Sequence, residues 1–429
     1  MYNLKQTYAT ITFKKESIDL VLSTNDDKSM HLLRQITIEN TNLYDENKVI
    51  NKTLLQQKIQ QQLDLINQRS KMLIQKVILN FDGLINDLKS TQVATNVINY
   101  LSADQFHNEI KKFVFNSNKT KLNPDQIIDY KIYKTVEKNT KNAASELVAN
   151  TDYYAILLVY HTKSNLLADL KQTINQLGLK VCGISSQELN YLATQQLKDA
   201  SDSLVIDVLD DHTSINIYLD DTFIISRKMN VGLNQVKANV FKKLNPKNNN
   251  NDLNDIIEQY FNNALLNLAE DSSYNLLIKT SDQFLNYQYL SKQDLDACIQ
   301  KYIVPIVDHI NKELELIKQE FKKEIKQIII NTNRNSAIAN NLLNKENELV
   351  NDVEISKLYS LKLWSAKKQY QQSYLAIKKQ YEFDLSINKI DNHIISQHDY
   401  NYDHESDKKA ILLSINKEIN SILTKLSAK

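Results

Sequence analysis

The sequence predicts an α/β protein that repeats one plan of strands and helices, and three observations support this prediction. A three-stranded β-meander followed by a helix occurs near the start of the chain and again before residue 245. The strands of both meanders alternate or run continuously apolar, as buried strands do. The chain has 429 residues, more than one hydrophobic core comfortably supports. We therefore expect two related halves, with smaller subdomains attached.

The first half is expected at residues 1–83. Its meander is formed by "TYATITF", "SIDLVLS" and "LLRQITIEN", and "KVILNFDG" closes it as a buried strand. Between them, a helix is predicted around Thr53–Arg69 because four apolar residues fall on one face at a spacing of 3.6. These residues are Leu55, Ile59, Leu63 and Ile66.

A small subdomain is expected at residues 84–162, inserted into the first half. It comprises the strand "QVATNVINY", a helix opened by a capping box at Ser102 and Gln105, and the strands "DYKIYKTVE" and "YYAILLVYHT". Ser164 then caps a helix that ends at Gly178, and "KVCGI" follows as a short strand. We assign this helix and this strand to the second half, which we place at residues 163–390.

The second half contains the meander "SLVIDV", "TSINIYL" and "TFIISRKM", followed by the helix "GLNQVKANVFKKL". A smaller subdomain is expected at residues 245–295. A long helix at Gln300–Lys326 carries one apolar stripe and runs into the strand "QIIIN". A helical region around Glu354–Glu382 completes the globule, and we expect helices in this last part of the range 163–390 to return to the first half.

The chain ends with a polar linker at residues 391–410 and an amphipathic helix at residues 411–429. His393, His398 and His404 of the linker are spaced unlike metal ligands on a helix or a strand, so we predict no metal site there. The polar face of the helix includes Lys417 and Lys425. The apolar face consists of Ile411, Leu412, Ile415, Ile419, Ile422, Leu423 and Leu426. Such a helix is typical of membrane-surface binding, and docking on a protein partner is the alternative.

Charge and cysteine usage exclude several classes of protein. The chain has 52 basic and 51 acidic residues and no basic stripe with interleaved aromatics, so we expect no nucleic-acid partner. Cys182 and Cys298 lie far apart without metal-binding spacing, which favours a reducing compartment. The N-terminus lacks the zones of a signal peptide, and no apolar run is long enough to span a membrane. We therefore expect a cytoplasmic protein, which the terminal helix would hold peripherally on the inner face of the cell membrane if it binds lipid.

The stretch "SLVIDVLDDHTSINIYLDD" at Ser203–Asp221 is the strongest candidate for a ligand site. A buried strand delivers Asp207 into a tight turn, which is an arrangement that can hold phosphate and its metal. Turns of this kind normally contain glycine, and this turn contains none. Asp207 is either a ligand or a turn-forming aspartate, and Thr213 is either a ligand or a strand threonine.

The order of these pieces resembles FtsA, the actin-like bacterial cell-division protein, over nearly the whole chain. The second phosphate loop of that family reads approximately D-I-G-G-G-T-T-D-I, and it matches the residues that begin at Asp207, with Gly232 in a later glycine position. The first loop, approximately D-I-G-[ST]-S, falls on the residues that begin at Thr12, and the adenosine motif falls on "IIINTNRNSAIA". The resemblance implies an actin-like (ribonuclease-H-like) fold. It also implies that ATP with magnesium would bind at Thr12, Asp207, Thr213 and Gly232.

The signature glycines of the FtsA family are absent from the first loop, from residues 209–211 and from residues 331–335. Asp210 and Asp211 would add negative charge beside the phosphates. At an effective dielectric constant near 20, like charges about 4 Å apart repel by about 4 kcal/mol. We therefore expect ATP binding to be weakened or lost, and we nominate no catalytic residue. A working ATPase with loops rebuilt without glycine is the alternative.

The resemblance also implies a role and partners. An FtsA-like protein would tether FtsZ to the membrane, with the FtsZ C-terminal tail docked on the subdomain at residues 245–295 and the terminal helix bound to lipid. Self-association into actin-like filaments is implied as well. The remaining alternative is a cytoskeletal scaffold whose terminal helix binds a protein.

Overall fold

The computed structural model describes part of the chain, and the described residues form two compact units. These residues are 6–25, 30–70, 74–85, 87–97, 103–138, 151–194, 197, 202–244, 275–279, 287–331, 342–343, 349, 353–357 and 370–380. One unit comprises Met1–Thr194 with Ser360–Lys429, and the other comprises Gln195–Tyr359. The linker and terminal helix predicted at residues 391–429 lie outside the described residues, as does most of the subdomain predicted at 245–295.

The first unit contains two sheets and their helices. The strands are β1 (Gln6–Phe13), β2 (Ser17–Asn25), β3 (Met30–Glu39), β4 (Lys76–Phe81), β5 (Lys89–Val97), β6 (Ile127–Glu137), β7 (Tyr153–His161) and β8 (Lys180–Ser186). The helices are α1 (Lys52–Ser70), α2 (Ala103–Val114), α3 (Ser117–Thr120), α4 (Leu166–Gln176) and α5 (Gln187–Asn190). Residues 371–380 are also helical.

The larger sheet of the first unit has the strand order β3-β2-β1-β4-β8. The first three strands form the predicted antiparallel meander, and β4 and β8 add in parallel. The apolar face predicted for α1 is buried, because Leu55, Ile59, Leu63 and Ile66 are at most 3% exposed.

The position of β8 corrects the boundary expected at residue 163. The strand "KVCGI" lies in β8 and pairs with β4, so α4 and β8 belong to the first unit, which continues to Thr194. A parallel strand requires a long crossover connection. Here that connection contains the inserted subdomain as well as α4, and local sequence patterns do not reveal which sheet the returning strand joins.

The inserted subdomain is an antiparallel sheet of order β5-β7-β6 with α2 packed on it. All three strands lie within the range 84–162 expected from the sequence. Phe106, Ile110 and Val114 of α2 are fully buried against Ala155 and Leu157 of β7 and their neighbours. Ser102 of the predicted capping box lies outside the described residues. The hydroxyl of Ser164 accepts a hydrogen bond from the backbone N–H of Leu166 at the start of α4, at 3.1 Å.

The second unit repeats the plan of the first. Its strands are β9 (Ser203–Val208), β10 (Thr213–Leu219), β11 (Thr222–Met229), β12 (Asn275–Lys279), β13 (Tyr287–Ser291), β14 (Gln327–Asn331) and β15 (Glu354–Lys357). Its helices are α6 (Leu233–Leu244) and α7 (Lys292–Phe321). The main sheet has the order β11-β10-β9-β14-β15, with an antiparallel meander and two parallel strands as in the first unit. Strands β12 and β13 pair separately.

Two elements of the second unit differ from the prediction. The helix α7 begins at Lys292 and ends at Phe321, whereas the sequence placed it at Gln300–Lys326. Its predicted apolar stripe is buried at Ile303, Ile306, Ile310, Leu314 and Ile317. Residues 354–357, assigned to a helical region, form the edge strand β15. A strand of four residues is too short for its periodicity to be distinguished from that of a helix.

Candidate functional site

The two main sheets place equivalent polar residues at the ends of their first strands. Thr12 of β1 lies opposite Asn80 of β4, and Asp207 of β9 lies opposite Asn331 of β14. Each asparagine donates from Nδ2, Asn80 to Thr12 Oγ1 at 3.2 Å and Asn331 to Asp207 Oδ1 at 2.7 Å. We call these two strand ends, with the turns that follow them, the first and the second half-site. They are the places to which the sequence assigned the phosphate loops.

In the second half-site, both carboxylate oxygens of Asp207 are engaged by amides. Asn331 donates to Oδ1, and Asn216 of β10 donates to Oδ2 at 2.9 Å. The side chain of Asp207 is buried. Hydrogen bonds to a charged group contribute about 1.5–3 kcal/mol each. A metal ion or its water would therefore have to compete with two such bonds for this carboxylate.

The turn after β9 is bound by the first turn of α6. The N–H groups of Leu233 and Asn234 donate to the carbonyl oxygens of Leu209 and Asp210, at 3.0 and 2.8 Å. Within the turn, Leu209 N–H donates to the carbonyl of His212 at 2.8 Å. Backbone N–H groups at a helix N-terminus are the donors that bind phosphate in nucleotide sites. Here their acceptors are carbonyl groups of the same chain.

Gly232 lies immediately before α6 and contacts the turn directly. Its N–H donates to Gln235 Oε1 at 2.8 Å, and Gln235 Nε2 donates to the carbonyl of Asp211 at 3.1 Å. A Cβ added at Gly232 would lie 2.5 Å from the backbone nitrogen of His212. The position therefore requires glycine so that the helix can pack on the turn, irrespective of any ligand.

The other residues of the second loop do not converge on one point. Thr213 is buried, and its hydroxyl donates to the carbonyl of Val231 at 2.6 Å. Asp210 and Asp211 are exposed, and Asp211 Oδ1 lies 2.7 Å from His212 Nδ1. The sequence analysis expected these two carboxylates beside the phosphates, and in the structure their side chains are exposed.

In the first half-site, Thr12 belongs to a buried polar network. Its hydroxyl lies 2.7 Å from the hydroxyl of Ser373, in addition to the bond from Asn80. Asn190 Nδ2 donates to Asn80 Oδ1 at 2.8 Å, and Ser185 Oγ donates to Asn190 Oδ1 at 2.7 Å. Sequence reasoning identified Thr12 and missed the other four. The signal for Asn80 was present, since an asparagine ends the apolar run "KVILN".

The turn between β1 and β2 is anchored by aromatic packing. Phe13 is fully buried, with ring centroids 5.5 Å from Tyr44 and 6.0 Å from Phe81. Lys14 N–H donates to the carbonyl of Ser17 at 2.8 Å, and the hydroxyl of Tyr44 lies 2.6 Å from the carbonyl of Lys14. A core phenylalanine thus occupies the apolar position of the family loop, Lys14 occupies its glycine position, and the backbone turn is closed by its own hydrogen bonds.

Lys14 points inward and is paired with acids. Its ammonium lies 2.6 Å from Asp19 Oδ2 and 3.7 Å from Asp82 Oδ2, and Thr37 donates to the other oxygen of Asp19 at 2.7 Å. Burial raises the pKa of the Asp19 carboxyl, and Lys14 partly offsets that rise. The charge of Lys14 is therefore used within the half-site, while Lys15 is exposed.

Taken one half-site at a time, the groups that the sequence assigned to ATP with magnesium are engaged within the chain. The retained carboxylate, the helix N–H groups and the inward lysine all have partners from the chain itself. Within the part of the chain that the structure describes, no cluster of three or more His, Cys, Asp or Glu side chains is arranged to hold a metal ion. Of the adenosine-motif stretch after β14, residues 332–341 lie outside the described residues.

Comparison with known proteins gives distant similarities. No family model matches the chain. The uncharacterized protein MG223 of Mycoplasma genitalium is 24% identical over 329 residues, which is 75% of each chain. The solved PilM–PilN type IV pilus biogenesis complex matches with a TM-score of 0.51 and 10% identity, over 89% of this chain and 98% of that one. MreB5 of Spiroplasma citri bound to AMPPNP matches with a TM-score of 0.45 and 10% identity, over 90% and 98%.

The fold predicted from the sequence is confirmed. The two main sheets share one strand order, and the fold matches that of the solved PilM–PilN complex over 89% of this chain. Identity near 10% establishes the fold alone. No helix in the described ranges has the length and apolar character needed to cross a membrane.

Proposed function

We propose that this chain is an actin-fold adaptor with a degenerate nucleotide site, and that it acts as an FtsA-like membrane tether for FtsZ. The observation that carries the first part is the engagement of both half-sites by the chain's own side chains and backbone. The resemblance to FtsA and the amphipathic sequence at residues 411–429 support the second part.

The closure of the second half-site can be expressed as a free-energy cost. A nucleotide with its metal would displace two amide bonds to Asp207 and two backbone bonds from α6. At about 1.5–3 kcal/mol for each charged bond and about 0.5–1.5 kcal/mol for each neutral bond, the cost is about 4–9 kcal/mol. This corresponds to about three to six powers of ten in affinity, before any new contact is made. A working ATPase would have to recover that cost from contacts with the ligand.

Calorimetric titration with Mg-ATP, combined with a phosphate-release assay, tests the degenerate site. We expect no micromolar binding and no turnover. The matched control is the variant Lys326→Gln, which changes an exposed lysine of the second unit and should behave as the unmodified chain does. Micromolar binding with turnover would overturn the proposal in favour of the working ATPase.

The tether is proposed from the energetics of the terminal helix. About seven apolar side chains are available at roughly 1.5–3 kcal/mol each for full burial, and partial insertion reduces this to reversible binding. Co-sedimentation with anionic vesicles should pellet the full chain and leave a 1–405 truncation in solution. The full-length double variant Ile415→Asp/Ile422→Asp should also stay in solution, whereas Ser414→Asp on the polar face should retain more binding. Equal sedimentation of the full chain and the truncation would contradict a lipid-binding role.

The partner is tested separately from the membrane. We expect a fluorescent peptide of the FtsZ C-terminal tail to bind the full chain and the 1–405 truncation alike, because the proposed docking region at residues 245–295 is present in both. Absence of peptide binding, with vesicle binding intact, would replace FtsZ by another partner. Self-association is measured by pelleting without vesicles, and filaments are the expected product.

A further inference from the structure

A cavity of about 620 Å³ lies within the first unit, between the inserted subdomain and the larger sheet. Its walls include consecutive residues of β8, from Lys180 to Ser185, and of β6, from Ile128 to Lys131. Each of these strands is the last in its sheet. Helix α2, helix α4 and the helical residues 371–380 contribute further walls. A volume of about 300–1,000 Å³ is typical of small-molecule sites.

Positive charge converges on this cavity. Among the described residues, the lining contains one carboxylate, Asp129, and five lysines, so the formal charge of these residues is five minus one, or +4 with His107 neutral. The lysines are Lys111, Lys131, Lys171, Lys180 and Lys379. Asp129 is paired with Lys379, so this carboxylate already has a cationic partner. A concave surface with one sign of charge attracts ligands of the opposite sign.

The same cavity has an apolar wall. Phe115, Ile128 and Leu189 line it, together with the rings of Tyr130 and Tyr160. Burial raises the pKa of Tyr130 to about 12, with a smaller contribution from Asp129, so its phenol stays neutral at physiological pH. The lining thus combines charge for an anionic group with surface for an aromatic or aliphatic body.

The two strand edges are poorly suited to an added peptide strand. The pairing of β8 with β4 shifts by one residue at Cys182, and the pairing of β6 with β7 shifts at Ile128 and again at Tyr133. Bulges of this kind interrupt the regular edge that an incoming strand needs and are a common protection against it. The occupant is therefore better sought among small molecules than among extended peptides.

We propose that this cavity binds a small organic phosphate with an aromatic or apolar body. Lysine ammonium groups act as point charges on phosphate, and the described residues that line the cavity include no arginine to form a planar clamp on a carboxylate. The ligand would lie beside the first half-site, because Lys379 Nζ is 3.3 Å from Ser185 Oγ, which donates to Asn190 of the buried network. The cavity shares Ser185 with the network of the first half-site, but its proposed ligand does not depend on the function proposed above.

Cys182 provides a direct readout, because it is exposed and lines the cavity. In a full-length Cys298→Ser background, the rate of alkylation by iodoacetamide is measured with phenyl phosphate, benzoate or benzyl alcohol present. We expect phenyl phosphate to slow alkylation severalfold, and benzyl alcohol to have no effect. Benzoate distinguishes phosphate from carboxylate recognition and should protect less than phenyl phosphate.

Two charge-matched variants complete the test. Lys111→Gln/Lys180→Gln removes two exposed lysines of the cavity and should abolish protection, whereas Lys48→Gln/Lys326→Gln removes two exposed lysines elsewhere and should retain it. Circular dichroism checks that each variant is folded. Absence of protection by phenyl phosphate, or equal protection by benzyl alcohol, would overturn the proposal, whatever the variants do. Equal loss of protection in both double variants, or protection by benzoate as strong as that by phenyl phosphate, would do the same.

Discussion

Replacing Gly232 with alanine should destabilise the second unit by about 2–6 kcal/mol. The new Cβ would lie 2.5 Å from the nitrogen of His212, 2.6 Å from the carbonyl carbon of Asp211 and 2.7 Å from the carbonyl oxygen of Asp210. All three are backbone atoms, so either the turn or α6 has to move. Overpacking of this kind costs about 1–3 kcal/mol.

The same movement disturbs the contacts that close the second half-site. Leu233 and Asn234 would be drawn away from the turn carbonyls that they now reach at 3.0 and 2.8 Å. Two neutral hydrogen bonds contribute about 1–3 kcal/mol together, which gives the upper part of the expected range. The loss should be local, and it should expose the amides of the first turn of α6.

Native-state hydrogen exchange, followed by mass spectrometry, measures this loss where it occurs. We expect faster exchange at the start of α6 in Gly232→Ala, together with a lower melting temperature. The matched control is Gly183→Ala, whose new Cβ would meet the end of the Gln380 side chain rather than backbone, so that rotation of that side chain can relieve the contact. Its cost should be under about 1 kcal/mol. If Gly232→Ala exchanged no faster than Gly183→Ala, the packing of α6 on the turn would not be the reason for this glycine.

Three further predictions concern buried polar groups. Thr12→Val should cost about 1–3 kcal/mol of stability by thermal melting, because Asn80 loses its acceptor, and a neutral effect would contradict the network. Asp207→Asn should cost a similar amount of stability, because the new side-chain NH2 group would face the NH2 group of Asn331. If this variant instead abolished an increase in melting temperature caused by Mg-ATP, Asp207 would be a nucleotide ligand. Burial lowers the pKa of Lys171 to about 8 from 10.5, which penalises the charged form in the folded state. The free energy of unfolding should therefore increase from about pH 8 to pH 10.5, and it should increase less in Lys171→Met. Equal pH dependence of the two proteins in this range would refute the prediction.

Much of the fold could be predicted from local patterns, because the meanders alternate and α1 carries a regular apolar face. The assignment of β8 to the first sheet could not be predicted. Its partner β4 is separated from it by the whole inserted subdomain, and local periodicity carries no information about long-range pairing. The strand β15 was missed for a related reason, because four residues give too short a pattern.

For the candidate site, the sequence assigned phosphate loops to two strand ends, and the structure adds contacts there that the sequence did not reveal. The sequence pointed to Thr12 and Asp207 and showed that glycine was missing. It did not show that Asn80 and Asn331 would pair with them, because these contacts join residues 68 and 124 positions apart. A shared signal was present, since an asparagine ends the apolar runs "KVILN" and "QIIIN" at equivalent strands.

Asn216 and Asn331 occupy the carboxylate of Asp207 as a bound ligand would, but they are part of the chain itself. Because Asn216 and Asn331 belong to the same chain, their effective concentration stays constant when cellular ATP falls. In actin-like assemblies that hydrolyse nucleotide, hydrolysis limits how long a subunit stays in place. Under the proposed function, hydrolysis does not limit the residence time of this chain. Its residence time would depend on partner concentration and dissociation rate alone, and it should be the same in starved and in growing cells.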